Sequence, residues 1–178
     1  TFGMNRQGIN SILGESDKLM RAVDLATKVS EKSNSNVLIL GETGTGKGLF
    51  ARAIHNYGKN RKYPFVAIVC TAIPENLLEA ELFGYEAGAF TSARTRKLGL
   101  FEIAESGTLF LDEIGDMSLN LQAKLLRAIE KKVIKRLGGI VDIPINARII
   151  SATNKNIEEL IEEGLFRRDL YHRLNVVT

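Results

Sequence analysis

The apolar positions change period several times along the chain. Between residues 17 and 31, Leu19, Met20, Val23, Ala26 and Val29 recur at helical spacing, with Ser16 a candidate N-cap, which predicts an amphipathic helix. The polar cluster Ser33-Asn34-Ser35-Asn36 breaks that pattern, and Val37-Leu38-Ile39-Leu40 follows as a short apolar run ending in glycine, the signature of a buried strand. Similar runs occupy Phe65 to Val69, Thr108 to Leu111 and Arg148 to Ser151. Helical patterns at Leu49 to Asn56, Glu75 to Phe83 and Leu119 to Lys131 separate them, and this alternation predicts an α/β domain with a parallel sheet. Two short apolar segments around Gly138-Gly139, between Val133 and Ile143, read as an inserted β-hairpin. After Asn154 come helical stretches at Ile157 to Glu163 and Phe166 to Leu174. The sequence stops at Val176-Val177-Thr178 without a polar tail, as expected of a fragment that ends inside a larger protein.

Composition changes this picture little. With 178 residues, 44% of them hydrophobic, the chain suits a single globular domain with its own core. Its single cysteine, Cys70, has no internal partner and reads as a small buried residue. There is no basic-then-apolar leader, and no run nears the roughly 18 apolar residues needed to cross a bilayer. A cytoplasmic location without a membrane partner is the expectation. The 24 basic and 21 acidic side chains are interspersed, favouring a mixed solvated surface over a nucleic-acid interface. No recognition-helix pattern appears, so any DNA contact is expected from a domain outside this fragment.

The chemistry begins at Gly41-Glu42-Thr43-Gly44-Thr45-Gly46-Lys47, which lies where the strand ending at Leu40 should turn into a helix. Glycines at this spacing let backbone N–H groups curl around a phosphate, the helix N-terminus adds a favourable dipole, and Lys47 would reach the β- and γ-phosphates. The next residue is Gly48, where P-loops normally carry the Ser or Thr hydroxyl that contacts magnesium; Thr45 or a water must substitute. A second apolar strand ends in Asp112-Glu113. Asp112 is placed to hold magnesium and Glu113 to polarise an attacking water, although adjacent carboxylates also suit a helix N-cap with an acidic first turn. His55 and His172 have no carboxylate or cysteine at ligand spacing and read as surface or interface residues.

Three further stretches carry a family resemblance: Glu79 to Thr91 (EAELFGYEAGAFT), Gly107 to Met117 (GTLFLDEIGDM) and Phe166 to Leu174 (FRRDLYHRL). With the P-loop, they make residues 12 to 178 resemble the central AAA+ domain of bacterial sigma-54-dependent transcription activators. The resemblance implies a three-layer αβα P-loop NTPase with an inserted loop that contacts the sigma factor. It also implies a helical lid, absent from this fragment, that would follow the core and carry a second sensor arginine; the isolated fragment is then expected to bind nucleotide weakly and remain monomeric. ATP and Mg2+ are the implied cofactors. Sigma-54 and its RNA polymerase holoenzyme are the implied partners of a hexameric or heptameric ring, whose ATP hydrolysis would drive promoter opening. Leu13 and Gly14 match the segment lining the adenine pocket, or else form a simple loop before the first helix. Asn154 and its neighbour Thr153 match the sensor at a strand end, or else cap the helix at Ile157.

The sigma-contacting loop would be Gly88-Ala89-Phe90-Thr91-Ser92-Ala93, with Ser92 replacing the family's second glycine and restricting backbone angles open to glycine. Arg167 and Arg173 match arginine fingers that act across the subunit boundary; read without the family, they form an exposed face pairing with Glu162, Glu163 or Asp169. The family's asparagine that restrains the catalytic glutamate corresponds to Val69, which has no polar side chain, so that switch is absent or moved, for example to Thr71.

Overall fold

The computed structural model describes residues 17–32 and 35–177. The expected N-cap Ser16 and the expected adenine-pocket residues Leu13 and Gly14 lie outside them.

A four-stranded parallel sheet of order β1-β8-β5-β2 organises the domain, from β1 (Val37–Leu40), β2 (Phe65–Val69), β5 (Thr108–Asp112) and β8 (Arg148–Thr153). Its inner strands read as continuous apolar runs because both faces are covered. Alternate residues feed two cores. Val37, Phe110, Ile150 and Ala152 pack against Ala26 and Val29 of α1 (Asp17–Lys32) and Ala51, Ala53 and Ile54 of α2 (Lys47–Tyr57). On the other face Leu38, Leu109, Leu111 and Ile149 meet α3 (Glu75–Phe83), α5 (Leu119–Lys131) and α7 (Arg168–Leu174). The three-layer αβα arrangement is thus present. Met20, expected on the apolar stripe of α1, is exposed.

Two small antiparallel hairpins stand outside the sheet. One pairs β3 (Gly84–Tyr85) with β4 (Lys97–Leu98) and was not legible in the sequence, since two-residue strands carry no periodicity; the short helix α4 (Leu100–Ile103) follows it. The other, β6 (Val133–Ile134) with β7 (Ile143–Pro144), lies where the apolar pattern placed it. The polypeptide of the second runs beside the first: Glu86 N donates to the Leu137 carbonyl at 3.0 Å and Leu137 N to that of Gly84 at 2.9 Å. Gly138, at φ 71°, lets the two approach, because a Cβ there would sit 2.9 Å from that of Ala89.

Arg136 locks this junction. Its guanidinium pairs with Glu86 at 2.6 Å and with Glu102 of α4 through two bonds. Burial pushes the Glu102 carboxyl up, but hydrogen bonds from Arg136 and the Gly99 amide outweigh it and hold the group below its ordinary value. The linked stabilisation is therefore complete above the unfolded carboxyl's pKa and fades as pH falls through the lowered one.

His55, expected as a surface or interface residue, is instead buried inside the domain. The C-terminal turn of α2 lies over the sheet, leaving His55 4% exposed, with Nδ1 2.9 Å from Thr108 Oγ1 and its ring 5.3 Å from that of Phe65. Burial first, then the charges of Arg52 and Arg148, hold its pKa below the ordinary imidazole value. His172 is exposed, as expected.

The last helices are α6 (Ile157–Glu162) and α7. Asn156 caps α6, its side chain accepting from Glu158 N at 3.1 Å, so neither Thr153 nor Asn154 serves as that cap. Among the described residues no helix is long and apolar enough to cross a membrane.

Candidate functional site

The strand order brings the C-terminal ends of β1, β8 and β5 side by side, the crevice where open α/β sheets bind ligands. The Gly41 to Lys47 loop follows β1, Asn154 follows β8, and Asp112 ends β5 with Glu113 directly after it. Gly44 and Gly46 take φ of 81° and 86°, angles natural to glycine, and turn the loop into α2 with Lys47 as its first residue.

Lys47 is 8% exposed. Its Nζ donates to the carbonyls of Gly41 at 3.0 Å and Glu42 at 3.2 Å, and lies 3.5 Å from Glu113 Oε1. The ammonium is held over the loop by main-chain acceptors that a phosphate can replace. Glu113 sits at φ 54°, unusual for a residue with a side chain. Its other oxygen accepts from Asn154 N at 3.3 Å, while Asn154 Nδ2 donates to Thr43 Oγ1 at 3.0 Å. Loop, acid and strand-end amide thus form one connected network.

Asp112 accepts from Glu113 N at 3.0 Å, and Glu113 makes no side-chain cap to the 3-10 turn Ile114–Asp116 that follows. Glu113 thus stands at the N-cap position of that turn without its carboxylate capping it. Gly48 has only Phe110 Cε1, at 3.8 Å, near the place a Cβ would take, and the Thr45 hydroxyl donates to the Glu42 carbonyl at 2.7 Å. Among the described residues no group of three potential metal ligands occurs. One strand-end carboxylate fits Mg2+, which keeps several waters and binds through one or two carboxylates together with substrate phosphates.

Thr153 is fully buried, its hydroxyl accepting from Lys155 N at 3.1 Å, so the exposed Asn154 is the polar group at the mouth of the cleft. Val69 lies in register with Asp112 at the end of β2 and offers no hydrogen bond to the acids; Thr71 is exposed. The contacts that hold the Glu113 carboxylate come from Lys47 and from the Asn154 amide.

Cys70 follows β2 and is buried, its amide donating to the Asp112 carbonyl at 2.9 Å. Burial, reinforced by Asp112, Asp116 and Glu113, pushes its thiol up to about 12. We expect a thiol reagent at pH 8 to leave Cys70 unmodified until the domain is denatured; stoichiometric labelling of the folded protein would contradict this.

The Gly88 to Ala93 loop connects β3 to β4. Gly88 N donates to the Ala93 carbonyl at 2.7 Å and Ala93 N to that of Phe90 at 2.9 Å, closing a tight tip. Phe90 is 40% exposed, with the Tyr85 ring 4.9 Å away edge-on. Ser92 is not among the non-glycine residues of positive φ, so serine meets no backbone penalty there.

Arg167 forms a two-bond fork with Asp169, raising its own pKa and lowering that of the carboxyl. Arg173 pairs with Glu130 at 3.0 Å. Both are surface pairs, weak enough to exchange partners. Of the acids named as alternative partners, only Asp169 is used.

Sequence reasoning passed over Gln122 and Arg136. Gln122 is a polar residue on the apolar face of α5, fully buried, bonded to the carbonyls of Met117 and Leu165 and to the amide of Arg167. Arg136 is a charge inside a hairpin. Each interrupts an apolar pattern, a signal that marks a buried polar partner without naming it.

A three-layer αβα domain with a parallel sheet, a glycine-rich strand-to-helix loop and an acid pair across one intervening strand from it defines a P-loop NTPase core. The profile of the Sigma-54 interaction domain matches residues 12–178. The chain belongs to that family. It is 51% identical over 176 residues to the DNA-binding transcriptional activator HyfR of Escherichia coli K12, covering 97% of this chain and 26% of HyfR. To the Sigma54-dependent transcriptional activator SfnR of Pseudomonas putida it is 58% identical over 82% of this chain and 40% of that protein. The crystal structure of NtrX from Brucella abortus in complex with ATP superposes with a TM-score of 0.85 at 38% identity, over 97% of this chain and 38% of that one. The chain thus spans between a quarter and two fifths of the two relatives' length.

Proposed function

We propose that this domain binds and hydrolyses ATP, and that in an oligomeric ring it couples hydrolysis to remodelling of sigma-54 RNA polymerase at promoters. The observation that carries the reading is the approach of Lys47 Nζ to Glu113 at 3.5 Å, which puts a phosphate-binding cation and a candidate general base in one cleft. Entering phosphates would draw Lys47 away from the Gly41 and Glu42 carbonyls, while loop amides and the start of α2 stabilise their charge. Freed from Lys47, Glu113 would orient the attacking water. Asp112 would hold Mg2+, which when bound neutralises charge on the phosphate oxygens. Asn154 joins loop and acid and would report the terminal phosphate.

In this reading Arg167 and Arg173 leave their surface acids and reach a neighbour's phosphate, where such arginines elsewhere are worth about 10³ to 10⁵ in rate. The Phe90 loop would contact sigma-54. The chain is the α/β subdomain that a helical lid follows, working in the cytoplasm as one unit of a hexamer or heptamer whose DNA contacts lie in another domain.

Glu113→Gln tests the enzymatic part. ATP affinity should stay within a few-fold of wild type while steady-state phosphate release falls by about 10²-fold or more, the usual contribution of a general base. Equal, slow release by both proteins with ATP bound would sink it. That result would favour a nucleotide-dependent assembly module, the reading to which Gly48 and the apolar Val69 beside Asp112 lend support.

A further inference from the structure

Gln122 is the one fully buried side-chain amide among the described residues, and its three hydrogen bonds all go to main chain. Nε2 donates to the Met117 carbonyl at 2.7 Å and the Leu165 carbonyl at 3.0 Å; Oε1 accepts from Arg167 N at 2.8 Å. The network fixes the orientation of the amide, since a flipped group would set its oxygen against two carbonyl oxygens. Met117 closes the 3-10 turn directly behind Asp112 and Glu113, its N–H donating to the Ile114 carbonyl. Arg167 is the N-terminal flanking residue of α7, with no side-chain cap of its own.

The neighbourhood makes this a rigid strut. Phe166 is 3% exposed between the two residues Gln122 holds, and Leu121 and Leu125 on either side are fully buried. The arginine's guanidinium, by contrast, rests only on the exposed Asp169. Whatever aims Arg167 beyond its own subunit must act through the backbone, and Gln122 provides the only side-chain hydrogen bond to that backbone among the described residues.

We propose that Gln122 is a positioning residue for Arg167, tying the arginine that one subunit offers to its neighbour to the turn behind its own Asp112 and Glu113. This rests on the reading of Arg167 as acting across the subunit boundary. A shift of the Ile114–Met117 turn on nucleotide binding is then transmitted through one amide to the start of α7. Two sites of adjacent subunits are then linked through this strut, with no ligand touching Gln122 itself.

The test uses the full-length protein in its assembled form. Gln122→Met keeps the volume and removes all three hydrogen bonds; Gln122→Asn keeps the amide but shortens its reach. Each should lower kcat about 10- to 100-fold, as expected for a catalytic group displaced by about 1 Å, with ATP affinity and ring size unchanged. Adding either substitution to Arg167→Ala should lower kcat no further, because the step it serves is already lost. Mixing Gln122→Met subunits with Lys47→Ala subunits should restore part of the turnover: the second kind binds no nucleotide but presents a correctly held Arg167 to the intact sites of the first. A purely structural defect would not be rescued this way. Unchanged kcat, additive losses in the double variant, absence of rescue, or failure of both variants to fold would each overturn the proposal. Wild-type turnover by Arg167→Ala alone would remove the cross-subunit reading itself, and with it this inference, without any change at Gln122.

Discussion

Lys47→Ala abolishes ATP binding at concentrations that saturate the wild-type protein: this is the largest effect on nucleotide affinity expected of any single change in the site. Two charge-assisted hydrogen bonds to phosphate oxygens at about 1.5–3 kcal/mol each correspond to about 10²- to 10⁴-fold in affinity. The side chain contributes little else, since its present partners are two loop carbonyls and a 3.5 Å contact to Glu113. The fold should persist, because the sheet and both cores are built without it; circular dichroism checks that, and calorimetric titration with ATP measures the binding. Unchanged affinity would refute the phosphate role of the Gly41 to Lys47 loop.

Phe90→Ala should separate the two halves of the proposed function. The ring lies 40% exposed at a loop tip outside the main sheet, so its loss leaves the nucleotide cleft intact and phosphate release near the wild-type rate. Truncating an aromatic anchor at the centre of an interface commonly costs 2 kcal/mol or more, about 30-fold, so binding of sigma-54 should be lost at ordinary working concentrations. Co-sedimentation or anisotropy with purified sigma-54 reads this directly. Intact binding would sink the loop assignment while leaving the ATPase reading in place. Ser92, free of backbone strain, gives no reason to expect the loop to differ in shape from one carrying glycine there.

Both experiments address residues that stand out in the amino-acid sequence itself. The alternation of apolar runs and helical patterns was enough for the parallel sheet, because the inner strands β5 and β8 are buried on both faces and the amphipathic helices on one, and burial of that kind leaves a local periodic trace. Lys47, Asp112 and Glu113 were legible for a related reason: loop glycines and acids at strand ends are short-range requirements of phosphate chemistry.

What the tertiary structure decided are partnerships between distant parts of the chain. That β8 lies between β1 and β5, and so delivers Asn154 to both Thr43 and Glu113 across 111 and 41 residues, is a matter of strand order that no local pattern encodes. His55 is polar in sequence but buried in fact, since α2 lays its last turn over Thr108 and Phe65. Arg136 and Gln122 appear in the sequence only as interruptions of apolar patterns; the fold turns one into the lock between two hairpins and the other into the strut beneath Arg167. A buried polar group must find a partner, and sequence announces that need, but only packing in three dimensions chooses which partner it finds.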